Sequence, residues 1–211
     1  MTPIHPCVTD TLILTAIRLE ARGLARELEL QRRSGFPFPV FERPGRGLVR
    51  LAPVGLRAAL LPASWAALVA DLVSPLVISA GTCGGLAPEL EVGDLVLPES
   101  VLGPSGERLN VTPGVHAAAL GLSGSARTGL LLTSSALVET PEAKALRWRA
   151  TGASAVDMES AAILAWASRQ GCSSLVVRAV SDTAHQRVPA ELAGLVTQEG
   201  TLLPGKAVAL A

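Results

Sequence analysis

Cysteine is scarce in this chain of 211 residues, and the few cysteines are poorly placed to act together. They lie far apart, are odd in number and form no C-x-x-C pair: Cys7, Cys83 and Cys172. Such spacing excludes a disulfide framework and a cysteine-based zinc site. The three histidines show no ligand spacing either, so we expect no metal or other cofactor. This usage fits a reducing cytoplasm.

An excess of charge and a long apolar run are also missing. Lys+Arg 18 balance Asp+Glu 18 to a formal net charge of +0, which excludes recruitment to nucleic acid or an anionic membrane by bulk charge. The run TLILTAI is too short for a signal peptide or a membrane span, and AALLPASWAALVADLV is interrupted by Pro, Ser and Asp. With 49% hydrophobic residues, we expect a single packed domain over residues 1–211.

Short strand-like runs alternate with longer helix-like runs along the chain. The pattern predicts strands at 11–17, 48–54, 75–80, 94–101, 130–137, 153–158 and 173–182, and helices at 18–33, 57–72, 140–150 and 159–171. Segment 34–47, rich in Pro and Gly, is expected to be a loop or hairpin. Strands that alternate with helices predict a three-layer α/β/α fold with a mixed, mainly parallel central sheet.

Polar residues follow several of the predicted strands. Carboxylates occur at three of these strand ends, as Glu20, Glu159 and Asp182, and the glycine-rich sequence GTCGG follows another strand. Function in such folds collects at the carboxyl ends of strands. Two carboxylates that flank a glycosidic bond can protonate the leaving group and activate a nucleophile, while a third can hold sugar hydroxyls. The pattern therefore predicts a site for glycosidic-bond chemistry.

Each of these signals has a simpler interpretation when it is taken alone. Glu20 is flanked by arginines on an amphipathic helix, which is typical of a solvated surface residue. Asp182 can be a helix cap or turn residue, and Asp157 can simply end a strand. The sequence GTCGG at 81–85 is expected to form a turn with positive φ rather than a phosphate cradle. Glu159 is harder to dismiss, because the helix after it is apolar nearly all round.

Taken together, the motifs ISAGTCGGLAPELEVGDLVLPESV and AVDMESAAILAWASRQGCSSLVVRAVSD resemble the nucleoside phosphorylase and nucleosidase superfamily. This superfamily contains purine nucleoside phosphorylases and methylthioadenosine/S-adenosylhomocysteine nucleosidases. The resemblance covers about residues 11–187, with the motifs in the family's order. The segments TAIRLEARGLARE, DMES and RAVSDTAHQRVPAEL look closest to the branch of hopanoid-associated phosphorylases.

The resemblance implies a role for each site residue. Met158 and Glu159 fall on the residues that contact the ribose, where the glutamate accepts hydrogen bonds from the 2′- and 3′-hydroxyls. Asp182, supported by Ser181, falls on the aspartate that protonates or hydrogen-bonds N7 of the purine, and burial is expected to keep it protonated. Glu20 falls where the nucleosidases carry the glutamate that activates water. The implied substrate is a small-molecule adenine nucleoside whose 5′ substituent stays open.

The nucleophile distinguishes two activities within the superfamily. In the hexameric phosphorylases, arginines occupy the positions that Glu20 and Ser79 hold here. Because phosphate prefers arginine and is repelled by a carboxylate, these residues favour hydrolysis, and phosphorolysis is the alternative. Thr82 can hydrogen-bond either a water or a phosphate ion.

The side of the site that receives the base departs from the nucleosidase pattern. The aromatic residue that stacks on the purine in those enzymes falls near Ala136 or Leu137, in a chain with 3% aromatic residues. We expect an aliphatic base pocket, or one that uses the phenylalanines of loop 34–47. The C-terminal helix is expected to be reduced to segment 189–211. A non-catalytic purine-nucleoside binding module is therefore the alternative of another class, and relatives imply a homo-oligomer, with a dimer favoured.

Overall fold

The described part of the protein forms a mixed sheet with helices packed on its faces. The structure is a computed structural model that describes residues 10–45, 47–189, 197 and 199–201, apart from the side chains of 62–65. The strands are β1 (Thr11–Thr15), β2 (Gln31–Arg33), β3 (Val40–Arg43), β4 (Val49–Pro53), β5 (Leu76–Gly85), β6 (Leu95–Val96), β7 (Ser100–Leu102), β8 (Arg108–Asn110), β9 (Leu130–Thr133), β10 (Ala155–Asp157) and β11 (Ser174–Asp182). The helices are α1 (Arg18–Glu27), α2 (Leu61–Val69), α3 (Pro113–Ser123), α4 (Pro141–Thr151) and α5 (Ser160–Arg169), and a short 3₁₀ turn covers Leu56–Ala58.

The sheet is organised around β5. Its order is β2-β3-β4-β1-β5-β10-β9-β7-β8, and β11 joins it by pairing with β5 and β6. β5 pairs in parallel with β1 and β11, and its last residues pair antiparallel with β10. The longest ladder, between β5 and β11, is parallel. This arrangement confirms the expected mixed, mainly parallel sheet and brings the carboxyl ends of β1, β10 and β11 next to the second half of β5.

Helices cover both faces of the sheet, as the sequence pattern predicts. On one face α1 packs Ala21 and Ala25 in a core cluster with Ile13 of β1. On the other face Leu12 of β1 packs in a cluster with Ile163 of α5. Neighbouring residues of β1 therefore point to opposite sides and both are buried, which explains why this strand is a continuous apolar run. The three-layer arrangement holds the carboxyl ends of the strands rigidly.

Helix α4 forms as its sequence predicts. Thr140 precedes it and its Oγ1 accepts a hydrogen bond of 3.2 Å from the backbone N–H of Ala143, while Pro141 occupies the first turn. Gly152 ends the helix in the left-handed conformation, with φ 69°. Both ends of α4 are thus fixed by local chemistry, which sets the rotation of the helix and the position of Lys144 on its buried side.

The predicted helix at 18–33 is too long. Helix α1 ends at Glu27, Glu29 has a positive φ of 54°, and the residues from Gln31 form β2. The cause is tertiary, because β2 pairs with β3 and Arg33 Nη1 donates a 2.6 Å hydrogen bond to Glu42 Oε2. Pairing therefore overrides the helical pattern. The hairpin alternative for 34–47 is confirmed by the antiparallel β2–β3 pair.

The predicted turn at 81–85 is wrong, because GTCGG is the second half of β5. Gly81 has a positive φ of 155°, but the segment continues its ladders with β10 and β11. Two of the glycines are required because Asp182 approaches their backbone closely. A Cβ on Gly84 would lie 3.0 Å from Asp182 Oδ2, and one on Gly85 would lie 3.2 Å from the carbonyl oxygen of Asp182. Glycine here allows β11 to bring Asp182 against β5.

Other boundaries differ from the sequence pattern. The predicted strand at 94–101 is divided into β6 and β7, between which Pro98 lies, and the predicted helix at 57–72 is a 3₁₀ turn followed by α2. Strand β8 and helix α3 were not predicted at all. No helix within the described ranges has the length and apolar character needed to cross a membrane.

Candidate active site

A pocket of about 220 Å³ lies where the carboxyl ends of β1, β10 and β11 meet the second half of β5. The structure brings all of the sequence-predicted site residues to its wall: Glu20, Thr82, Met158, Glu159, Ser181 and Asp182. They come from four different parts of the chain, so the strand-end pattern correctly predicts their proximity. Their individual chemical roles stay predictions.

Glu20 is oriented by the start of α1 and by β5. Its Oε2 accepts hydrogen bonds from the backbone N–H groups of Ala16 and Ile17, at 3.1 and 3.2 Å. Its Oε1 accepts from the backbone N–H and the hydroxyl of Thr82, at 2.9 and 3.1 Å. A helix N-terminus favours a carboxylate electrostatically. Glu20 is therefore a fixed anionic acceptor facing the pocket, and the interpretation as a solvated surface residue is wrong.

Glu159 lies between β10 and α5 and is only 6% exposed. Burial, together with the charge of Asp157, raises its pKa to about 7, although Arg178 opposes the shift. Its Oε1 accepts a 3.0 Å hydrogen bond from the backbone N–H of Arg57. Arg57 has φ 54°, an uncommon conformation for a residue with a side chain. No donor from the described residues contacts Oε2, so this oxygen is available to a ligand.

A buried ion pair lies beneath the pocket. Arg178 Nε donates to Asp157 Oδ2 at 2.9 Å, and Arg178 Nη2 donates to Ser79 Oγ and Ser160 Oγ at 2.8 and 2.9 Å. Thr133 Oγ1 donates to Asp157 Oδ1 at 2.7 Å. Asp157 therefore does more than end a strand. It neutralises the fully buried guanidinium of Arg178 and accepts a hydrogen bond that orients this guanidinium.

Arg178 is the residue that the sequence reasoning missed. It is 1% exposed, and a Cβ placed on Gly81 would lie 2.7 Å from Arg178 Nη1 and 2.7 Å from Glu20 Oε1. A guanidinium and a carboxylate thus converge on the space that Gly81 leaves open. The available signal was an arginine within the apolar strand LVVRAV, since a charged residue in a buried strand needs a partner.

Asp182 lies at the end of β11, with a side chain that is 21% exposed. Lys144 Nζ donates a hydrogen bond to Oδ2. Ser181 Oγ lies 2.7 Å from Oδ1 and 3.1 Å from the carbonyl oxygen of Cys83. The expected burial is only partial, because an ammonium group and a hydroxyl surround the carboxyl instead of an apolar wall. The helix-cap interpretation of Asp182 is wrong, because β11 ends there and no helix follows in residues 183–189.

The contacts of Ser181 provide a place for a proton on Asp182. A hydroxyl has one hydrogen, so Ser181 can donate either to Asp182 Oδ1 or to the carbonyl of Cys83. Both contacts are hydrogen bonds at the same time only when Oδ1 carries a proton and donates it to Ser181 Oγ. The arrangement therefore accommodates an ionised and a protonated carboxyl without moving a heavy atom.

The wall near the base position is aliphatic, as expected from the low aromatic content. Among the described residues, no aromatic side chain lines the pocket, whose apolar members include Leu56, Leu137 and Val156. Phe36 and Phe38 pack against the core cluster beneath α2 instead, with ring centroids 5.9 Å apart. The alternative that loop phenylalanines stack on the base is therefore wrong. Most of segment 189–211 lies outside the described residues.

Cys83, the cysteine of the described residues that lines the pocket, is not a reactive thiolate at neutral pH. Burial raises the pKa of the Cys83 thiol to about 12, so this residue stays protonated. The described residues contain no group of three or more His, Cys, Asp or Glu side chains that could hold a metal ion. Among the described residues, the polar chemistry at the pocket wall is that of carboxylates and hydroxyls.

Comparison with known proteins identifies the family. A family model described as the Phosphorylase superfamily matches residues 58–202. Futalosine hydrolase of Streptomyces coelicolor is 33% identical over 231 residues, covering 92% of this chain and 94% of that protein. This similarity extends beyond the pocket to nearly the whole chain.

Solved structures with low sequence identity share the fold. A mutant of Helicobacter pylori 5′-methylthioadenosine/S-adenosylhomocysteine nucleosidase, with 5′-methylthioadenosine in its active site, matches with a TM-score of 0.74 at 16% identity, over 95% of this chain and 99% of that one. Futalosine hydrolase of Helicobacter pylori matches with a TM-score of 0.69 at 18% identity, over 83% and 88%. The narrower resemblance to hopanoid-associated phosphorylases stays a prediction. The broader one is confirmed: the chain belongs to the phosphorylase superfamily and is an enzyme of its nucleosidase and phosphorylase group.

Proposed function

We propose that the protein hydrolyses the N-glycosidic bond of a purine nucleoside, with adenine as the leaving base. The observation that carries the proposal is the convergence of Glu20, Glu159 and Asp182 on one pocket. The names of the similar proteins, a futalosine hydrolase and a methylthioadenosine/S-adenosylhomocysteine nucleosidase, support nucleoside hydrolysis. We further propose that residues 1–211 act as a single domain, within a homodimer and in the cytoplasm.

Glu159 is proposed to bind the ribose. In its ionised form the carboxylate accepts hydrogen bonds from the 2′- and 3′-hydroxyls through the oxygen that faces the pocket. Departure of the base leaves positive charge on the sugar, and a buried carboxylate stabilises that charge more strongly than it would in water. Met158 lies beside it and packs on the sugar. The same group therefore binds the substrate and favours the transition state.

Asp182 is proposed to act on the base. A protonated carboxyl donates to N7 of the purine, so that the base leaves as a neutral molecule. The hydrogen-bond chain from Oδ1 through Ser181 to the carbonyl of Cys83 supports a protonated state. The partial exposure of Asp182 allows direct contact with a base that occupies the aliphatic end of the pocket.

Glu20 is proposed to activate water. Both of its oxygens are oriented by backbone N–H donors, and Oε1 accepts a hydrogen bond from a water when the rotatable hydroxyl of Thr82 turns its hydrogen away. The charge of Arg178 is already balanced by Asp157, and a phosphate dianion at this position would face Glu20 and Glu159 instead of free cations. These charges favour water over phosphate, so phosphorolysis is the alternative activity.

The same carboxylates argue against a module that only binds purine nucleosides. The aliphatic base wall is the observation that favours such a module, since it lacks an aromatic stacking partner. Binding alone, however, gives no reason to fix Glu20 with four hydrogen bonds at the pocket wall. Tight binding with no turnover of any nucleoside would favour the module.

The test is base release by the purified full-length protein, with and without phosphate. The substrates are adenosine, methylthioadenosine, S-adenosylhomocysteine and futalosine, which share a purine riboside and differ in the 5′ substituent and, for futalosine, also in the base. We expect the base and the free sugar in both buffers, identified by mass. A sugar 1-phosphate formed only with phosphate would overturn hydrolysis in favour of phosphorolysis.

Replacing Gly81 tests the convergence of Glu20 and Arg178. In Gly81→Ala the new Cβ would lie 2.7 Å from a polar atom of each, so one or both must move. We expect kcat/KM for base release to fall by roughly 10²-fold, since small displacements of catalytic groups have effects of that size.

Gly93→Ala is the matched control for Gly81→Ala. Gly93 has a positive φ of 94°, and a Cβ there would meet nothing within 4 Å. This variant carries comparable backbone strain, so its kcat/KM should remain near that of the wild type. Full activity of Gly81→Ala, with a normal melting temperature, would contradict a catalytic arrangement at this point.

A further inference from the structure

Lys144 of α4 is fully buried, which is unusual for a lysine. Its Nζ donates to three oxygens: Asp182 Oδ2, the carbonyl of Thr183 at 2.6 Å and the carbonyl of Gln186 at 3.0 Å. A carbonyl oxygen has no hydrogen to donate, and an ammonium group has three N–H donors. The contacts match one donor to each oxygen, so the geometry is that of a charged lysine bound to the loop after β11 and to Asp182.

The ammonium gives the two oxygens of Asp182 different tasks. Oδ2 accepts from Lys144, and this oxygen is also held close to Gly84, whose Cβ would lie 3.0 Å away. A proton on Oδ2 would therefore compete with the ammonium hydrogen for the same space. Oδ1, which contacts the hydroxyl of Ser181, is left as the oxygen that gains and loses the proton.

We propose that Lys144 is a positioning residue that directs the acid chemistry of Asp182 to Oδ1. The inference rests on the proposed function, since it concerns the same carboxyl group. Lys144 does not line the pocket and acts only through Asp182 and residues 183–186. Its charge stabilises the ionised carboxylate after the proton has moved to the base, and its three hydrogen bonds fix the orientation of the carboxyl.

The surrounding groups favour Lys144 as the residue that orients Asp182. Lys144 contacts Asp182 directly, from α4. The thiol of Cys83, from β5, stays neutral because its pKa is raised to about 12. The other titratable groups that line the pocket come from α1 and from the end of β10: Glu20, Asp157 and Glu159. All of these are acidic, so Lys144 supplies the cation in contact with Asp182.

The first test measures kcat and KM for the wild type and for Lys144→Met. Loss of the ammonium removes a hydrogen bond that orients the carboxyl of Asp182. We expect kcat to fall about 10-fold with a smaller change in KM, because the group that is misoriented acts in the transition state. Arg147→Met, which removes an exposed charge from the same helix, should leave both unchanged.

A double-mutant cycle separates this role from a structural one. In an Asp182→Asn background, Lys144→Met should have little further effect on kcat, because the group through which it acts is already neutral. An equal loss of kcat in both backgrounds would overturn the proposal. Absence of base release by the wild type would instead overturn the proposed function, so the two failures are distinguishable.

A measurement on the folded protein covers the case in which Lys144→Met fails to fold. The chain contains only two lysines, Lys144 and Lys206, so nitrogen-15 labelling of lysine gives two side-chain signals. We expect one ammonium signal protected from solvent exchange, shifted in Asp182→Asn. A signal from Lys144 that exchanges freely or ignores the Asp182 substitution would overturn the proposal.

Discussion

Asp182→Asn should lower kcat for adenine release by roughly 10²- to 10⁴-fold, the range over which general acid catalysis contributes. An amide cannot deliver a proton to N7, although it keeps the size of the side chain and can still donate a hydrogen bond. The loss should appear mainly in kcat, because the proton is transferred in the transition state and not in the bound ground state. Single-turnover kinetics of the folded variant would measure the effect.

Two controls test whether Asp182→Asn is defective in protonating the leaving base. The second substrate is a riboside of 4-nitrophenol, whose leaving group, 4-nitrophenolate, departs without a proton. The variant should therefore cleave it nearly as fast as the wild type does. Asp94→Asn, which neutralises a partly exposed carboxylate near Arg127 at 3.9 Å, should leave both substrates unaffected. An equal loss on the purine nucleoside and on the activated riboside would assign Asp182 to substrate positioning instead of acid catalysis.

The site was predictable from the sequence to the extent that it depends on strand order. Glu20 and Asp182 follow β1 and β11, which both run parallel to β5, and parallel strands bring such positions to one edge regardless of their distance along the chain. Glu159 follows β10, which reaches the same place by pairing antiparallel with the end of β5. The same logic fails at Gly81, because three glycines within five residues are typical of a turn as well as of a strand that others must approach closely. The distinction lies in β10 and β11, which are distant in sequence.

Buried cations were the part that could not be predicted. Lys144 lies in PEAKALRWRA, a helix whose other charged residues are exposed, and its partner Asp182 is 38 residues away. Arg178 likewise depends on Asp157, 21 residues earlier. Pattern and propensity describe a residue's neighbours within one element, whereas the burial of a charge depends on a partner from another element. In the sequence, Arg178 interrupts an apolar strand and can be noticed for that reason. Lys144 lies among other charged residues, so nothing in the sequence distinguishes it.

Glu159→Gln should lower activity and raise stability at the same time. The variant loses charge-assisted hydrogen bonds to the ribose and the anion that stabilises the charged sugar, so kcat/KM should fall by roughly 10²-fold. The wild type should also show an acidic limb near pH 7, where Glu159 is protonated, and the variant should lack it. Profiles of kcat/KM between pH 5 and 9 would measure both effects.

The stability gain of Glu159→Gln follows from the sign of the pKa shift. Folding raises the pKa of Glu159 from the unfolded value of 4.5 to about 7, so the native state holds a proton that the unfolded chain releases. The contribution of this group to stability is complete below pH 4.5 and is lost as pH rises through about 7. The glutamine variant avoids that loss, so its advantage should grow over this range and level off at about 3 kcal/mol.

Urea unfolding at several pH values would measure this difference in the free energy of unfolding. Glu99→Gln is a control, because Glu99 is exposed and its change should alter stability little at any pH. If the free energy of unfolding differed between Glu159→Gln and the wild type by the same amount at every pH, Glu159 would be equally ionised in the folded and unfolded states. A difference that grows with pH, together with the loss of activity, would mean that the fold keeps a buried anion at a cost in stability because the sugar requires it.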